Sequence, residues 1–203
     1  MKPLFFVAVG VASAALAAPV GAAGFQKPYF GATKAGTFAR QKATDEKGAV
    51  TEYTYARLAD VGTDRVIELR YDMLSGQFKG TTSTTTCLVP ADFALESNAI
   101  GFQAHARRCA ASSGGGAVGE YPRATMKAIA QGMTDYPSIV TFKGTETVNG
   151  KACDRYGYEY KGSYMNIPAT VTGDMWLSDA VPFGLVKEVM TQRDAAGKTL
   201  TRI

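Results

Sequence analysis

Histidine is almost missing from this chain: His105 is the only one in 203 residues, alongside a single tryptophan and three cysteines. That scarcity narrows the chemistry first. Any acid/base relay, catalytic triad or multi-histidine metal centre must use His105 or do without. No G-x-S-x-G nucleophile elbow occurs. The one glycine run, Gly114-Gly115-Gly116, lacks the Lys-Ser/Thr that completes a phosphate-cradling loop. His105 and Cys109 are spaced as two metal ligands on one helix face could be, but a tetrahedral site needs two more and the sequence offers no obvious pair. Carboxylate pairs such as Asp45-Glu46 fall in turns, where solvated charge is expected. The chain therefore reads as non-enzymatic, with no catalytic residue, metal or cofactor. An excess of one charge is lacking too. The 22 Lys+Arg and 18 Asp+Glu are scattered rather than clustered, which argues against a nucleic-acid partner.

Long apolar runs are absent except at the start, where Met1-Lys2 precedes the Ala-rich stretch Pro3 to Ala18. This pattern predicts a secretory signal peptide over residues 1–23. Ala15-Leu16-Ala17 and Gly21-Ala22-Ala23 both satisfy the small-x-small rule, and the change of character at Gly24 favours the second. The apolar core is too short to span a bilayer comfortably. Residues 24–203 are then expected as one exported domain, periplasmic or secreted. Such a compartment is oxidising, so disulfides can persist. Three cysteines leave one over. Cys87 and Cys109 flank a single excursion between β regions and are the favoured pair, with Cys153 a buried free thiol at the start of a strand.

Along the chain, strands are predicted over Thr37–Thr44, Val50–Leu58, Arg65–Met73 and Phe78–Val89, separated by turn signals at regular spacing. In the third, Ile67, Leu69, Tyr71 and Met73 share one face and Glu68, Arg70 and Asp72 the other. Residues Phe25 to Phe38 suit an N-terminal arm packed on a sheet edge. The Thr81–Thr86 run has β propensity without an apolar face, as an exposed or edge strand would. Between about residues 91 and 135 the pattern turns helical. Phe93, Ile100 and Ala104 form one stripe within Ala91–Ala111, and Met126, Ile129, Ala130 and Met133 form another after Pro122. The glycine run between them reads as a flexible linker. A β-meander follows from Ile139 to Met190, punctuated by Asn149-Gly150, the Gly162–Pro168 loop and Val181-Pro182-Phe183-Gly184. A short last strand is expected over Thr199–Ile203. About nine strands are expected in all.

The aromatic set Tyr53, Tyr55, Tyr71, Tyr156, Tyr158, Tyr160 and Trp176 is the one constellation with functional promise, and the six tyrosines and Leu69 are the candidates for a site. Tyrosines on the concave face of a sheet offer apolar rings with a polar tip, as a pocket for an amphipathic ligand needs. With Met126, Ile129 and Met133 of the second helical stripe they are the candidate ligand-binding residues. A half-buried core beneath the helices would use the same residues.

The phrases GTETVNGKACDRYGYEYKG (Gly144–Gly162) and GDMWLSDAVPFGLVKEVM (Gly173–Met190) resemble the C-terminal signature of an uncharacterised family of exported bacterial proteins. These in turn resemble the half-barrel of the LolA/LolB and mycobacterial lipid carriers. The resemblance extends over most of Pro28–Met190 and implies a mainly β fold: a curved antiparallel sheet holding an inserted helical segment against its hollow side. A lipid, an acyl chain or another hydrophobic small molecule is then the expected partner, with peripheral contact to the cell envelope. The competing expectation is a non-catalytic envelope module with a packed core, acting by strand addition at the Thr81–Thr86 edge.

Overall fold

The computed structural model describes residues 24–27, 29, 33–90, 102–127, 139–164 and 167–203. The expected signal peptide, Phe93 and Ile100 of the first helical stripe, and Ile129, Ala130 and Met133 of the second lie outside the described residues. The fold is mainly β, in two antiparallel sheets, neither closed. Six strands form the first sheet in chain order: β1 (Phe38–Thr44), β2 (Val50–Val61), β3 (Asp64–Met73), β4 (Thr82–Pro90), β5 (Arg108–Ser113) and β6 (Gly119–Glu120). The second runs β7 (Val140–Val148), β8 (Lys151–Tyr164), β9 (Ile167–Leu177), β10 (Leu185–Arg193) and β11 (Thr199–Arg202), again in chain order.

Local chemistry dictates most of the reversals. Asn149 and Gly150 both take positive φ, 52° and 72°, which is the two-residue turn whose twist suits adjoining antiparallel strands. Asp45 and Asp194 each build the same Asp-x-x-Gly turn. The Asp45 carboxylate accepts from the backbone N–H of Lys47 and Ala49, and that of Asp194 from Ala196 and Lys198. Burial along β3 follows the alternation read from sequence, with Ile67 and Leu69 buried and Arg70 exposed.

Several expectations are corrected. The stretch from 91 to 135 is not helical throughout: among the described residues only α1 (Phe102–His105) and residues 123–127 are, and the chain between them forms β5 and β6. Ala110 and Ala111 favour helix by propensity, but pairing with Thr86 and Thr85 overrides it. The glycine run is a hairpin turn rather than a linker, with Gly114 and Gly115 at φ 60° and 73°. Cys109 lies directly across from Cys87 and is disulfide-bonded to it, which removes it from any metal pair with His105. The Thr-rich segment is no edge: β4 pairs with β3 on one side and β5 on the other, and Thr85 is buried. The expected 162–168 loop is mostly strand, since β8 and β9 pair as far as Tyr164 and Ile167. Among the described residues there are eleven strands rather than about nine. At the start of the N-terminal arm the Gly24 N–H donates to the Val140 carbonyl of the edge strand β7, at 2.9 Å, while Tyr29 is buried on the sheet face among Phe142, Tyr156 and Leu177.

Each sheet carries its own apolar cluster. On the first, Tyr55, Ile67, Leu69, Val89, Phe102 and the disulfide pack around Phe183, delivered by the loop between β9 and β10. On the second, Val140, Phe142, Tyr156, Val171, Met175 and Leu177 enclose Tyr29. Cys153 is a buried free thiol, as its place at the start of a strand suggested. Its pKa is raised, mainly because burial disfavours the thiolate.

Candidate functional site

Between the two clusters the molecule is hollow. A cavity of about 890 Å³ is lined by β1, β2 and β3 of the first sheet and by β8 and β10 of the second. Its position follows from the topology. Among the described residues the outer edge of β1 has no partner strand, and β11 pairs with β10 only from Met190 onward, leaving the Leu185–Val189 edge without a strand partner there. These two edges approach each other without zipping into one ladder. The side-chain amide of Gln41 donates to the Leu185 carbonyl at 2.8 Å and spans the seam. The backbone edges of residues 40–44 and 185–188 form part of the wall.

Six candidates read from the sequence meet in this cavity: Tyr53, Tyr55, Leu69, Tyr71, Tyr158 and Tyr160. Tyr53 and Tyr71, cross-strand neighbours on β2 and β3, pack edge-to-face with ring centroids 5.0 Å apart. Tyr158 and Tyr160 stack at 6.2 Å on the opposite wall. Burial raises the pKa of the Tyr53, Tyr55, Tyr71 and Tyr160 hydroxyls, that of Tyr71 to about 12. They therefore stay neutral hydrogen-bonding tips at physiological pH.

Two candidates sit elsewhere. Tyr156 is fully buried against the N-terminal arm: the Gln26 N–H donates to its oxygen at 3.0 Å, and its hydroxyl is 2.6 Å from that of Tyr29. Because Tyr29 donates its own proton to Asp154 at 2.6 Å, Tyr156 must be the donor to Tyr29, and the three bonds form one relay. Met126 packs on the outer part of the first cluster and lines a separate recess with Arg108, Glu120 and Arg123. Ile129 and Met133 lie outside the described residues.

A residue that sequence reasoning passed over sits at the centre. Glu188 faces the cavity and accepts a hydrogen bond from Tyr158 at 2.6 Å, its only donor among the described residues. It keeps accessible surface because the cavity opens onto it, yet the surrounding protein excludes most water from its carboxyl and raises its pKa. The hydrogen bond from Tyr158 opposes that rise. Strict alternation from the buried Leu185 would put Lys187 inside and Glu188 outside. A bulge reverses this, because Leu185 pairs with Leu177 while Glu188 pairs with Met175, two residues earlier on β9. The usable signal was a carboxylate standing between Val186 and Met190 at alternate positions of the strand.

Tyr158 reaches Glu188 by lying across the intervening strand. Its cross-strand partner on β9 is Gly173, and a Cβ there would stand 2.5 Å from the Tyr158 hydroxyl and 2.5 Å from the Val189 carbonyl. Only glycine leaves room for that crossing. Among the described residues no group of three or more His, Cys, Asp or Glu side chains could hold a metal ion. No protein-family model, curated protein or solved structure matches the chain.

Proposed function

We propose that this is an exported, non-catalytic binding protein that holds a lipid, an acyl chain or another hydrophobic small molecule in the hollow between its sheets, on a lipid-carrier-like half-barrel. The observation that carries the reading is the cavity itself. Its volume of about 890 Å³ lies within the range typical of ligand pockets, and its walls combine tyrosine rings and aliphatic chains with polar and charged residues along the strand edges. An acyl chain there would gain about 0.8 kcal/mol per buried methylene before ordering costs, so a short run of methylenes outweighs any single polar contact. The open seam offers a lateral entrance for an elongated molecule. A hollow interior weighs against the packed-core alternative, and the paired position of β4 removes the edge through which that alternative would act.

The test is native mass spectrometry of the protein purified without detergent, followed by organic extraction, on wild type and Ala43→Trp. Ala43 is a small, half-buried residue in the cavity wall, so an indole there fills the hollow. Extractable lipid on wild type and its loss from a folded Ala43→Trp variant are expected. Equal lipid on both would place binding elsewhere.

A further inference from the structure

We infer that the cavity selects an amphiphile whose head is a positively charged nitrogen, an alkylammonium or quaternary ammonium, seated on the Glu188 carboxylate among tyrosine faces. The inference rests on the binding reading above and adds the class of ligand to it.

Four cations border the cavity, and at first they point to an anionic ligand. Their geometry says otherwise. On β1, Ala39, Gln41 and Ala43 are the less exposed set, so Arg40 and Lys42 point outward, and the Arg40 guanidinium lies over the exposed Phe38 ring. Lys187 extends over the Trp176 ring on the outer face, 4.6 Å from its centroid. Lys161 is exposed and donates to Thr170 at 2.8 Å. These residues border the hollow along strand edges while their charges stand in solvent, where salt screens them within about 8 Å. Glu188 is the one formal charge turned inward among the lining residues.

A desolvated carboxylate with a single neutral donor has unused acceptor capacity, and no salt bridge engages it among the described residues. An ammonium meets that capacity directly. The aromatic surroundings suit the same charge: Tyr53, Tyr55 and Tyr160 lie close enough to Glu188 for its charge to raise their pKa values. Their rings can present negative π faces to a cation held at the carboxylate. Leu69, Leu185 and Met190 supply the apolar wall for the rest of the molecule. Since only the ionised carboxylate attracts the cation, affinity for it rises with pH as Glu188 deprotonates, whereas affinity for an uncharged analogue stays flat.

The experiment is isothermal titration calorimetry of the purified protein with three probes of equal chain length, kept below their aggregation limits: decyltrimethylammonium, decanol and decanoate. Wild type should bind the ammonium about ten- to a hundredfold more tightly than the alcohol at neutral pH, and decanoate most weakly. Glu188→Gln, whose amide oxygen can still accept from Tyr158, should bind the alcohol as wild type does while the ammonium preference shrinks to about threefold or less. Alcohol and decanoate binding with no ammonium preference overturns the head-group inference and leaves the hydrophobic-cavity reading standing, as does a preference that survives in Glu188→Gln. Absence of binding by all three probes overturns both.

Discussion

Gly173→Ala is the substitution whose outcome the geometry constrains most tightly. The added methyl has to occupy space held by the Tyr158 hydroxyl and ring carbon, 2.5 and 2.6 Å away, and by the Val189 carbonyl of the adjoining strand, 2.5 Å away. Backbone paired in the sheet cannot retreat cheaply, so Tyr158 must swing off the strand and release Glu188. Overpacking of this kind costs about 1 to 3 kcal/mol. Losing a hydrogen bond to a carboxylate adds about 1.5 to 3 kcal/mol. The sum is a large share of the about 5 to 15 kcal/mol that holds a typical domain folded. Urea denaturation at neutral pH, followed by far-ultraviolet circular dichroism, measures it directly. Tyr158→Phe should show only the hydrogen-bond part. Adding Tyr158→Phe to Gly173→Ala should cost little more, because the bond is already gone. A Gly173→Ala protein within about 0.5 kcal/mol of wild type would refute the crossing as described, as would full additivity of the two substitutions.

The same carboxylate gives a pH-dependent stability. Burial raises the folded pKa of Glu188 above the ordinary glutamate value, so in the window between the two the folded chain binds more protons than the unfolded one, and stability falls as pH rises through it. Glu188→Gln should therefore be more stable than wild type at neutral pH and lose that advantage in acid below the ordinary glutamate range; identical urea midpoints at both pH values would contradict this. Replacing both Cys87 and Cys109 by serine should lower stability by about 3 kcal/mol through the freed loop, read as a shift in urea midpoint that reductant reproduces in wild type. Reductant leaving the wild-type midpoint unmoved would show the bridge to be dispensable.

How much of this was legible beforehand depended on whether a residue's role was set locally. Asp45-Glu46 and Asn149-Gly150 carry their turns in their own side chains and φ values, and both form where they were expected. The β3 alternation was equally plain, and it led directly to Leu69 and Tyr71 in the cavity wall. The cysteine pairing followed from which residues flank one excursion. Failures came where a distant partner decided. Ala110 and Ala111 are strand because β4 lies beside them. Thr85 is buried because β3 and β5 flank its strand and Tyr121 reaches its hydroxyl, at 3.3 Å. Glu188 turned inward at a bulge, and one extra residue in a ladder leaves little trace in a hydropathy pattern. Tyr156 left the cavity because the arm from Gln26 to Tyr29 claims it.

Trp176 gives the protein a built-in optical gauge. It is the only indole in the chain, it is buried with its N–H donating to Glu146 at 2.5 Å, and the cations of Arg155 and Lys187 lie near its ring. Lys187 is the direct chain neighbour of Glu188, so a displacement of β10 alters the electric field at the ring and with it the emission colour. The ten tyrosines, several in the cavity wall, act as antennae that pass excitation to this single acceptor. Filling the hollow can then be followed in unlabelled protein, by light, from the far side of the sheet.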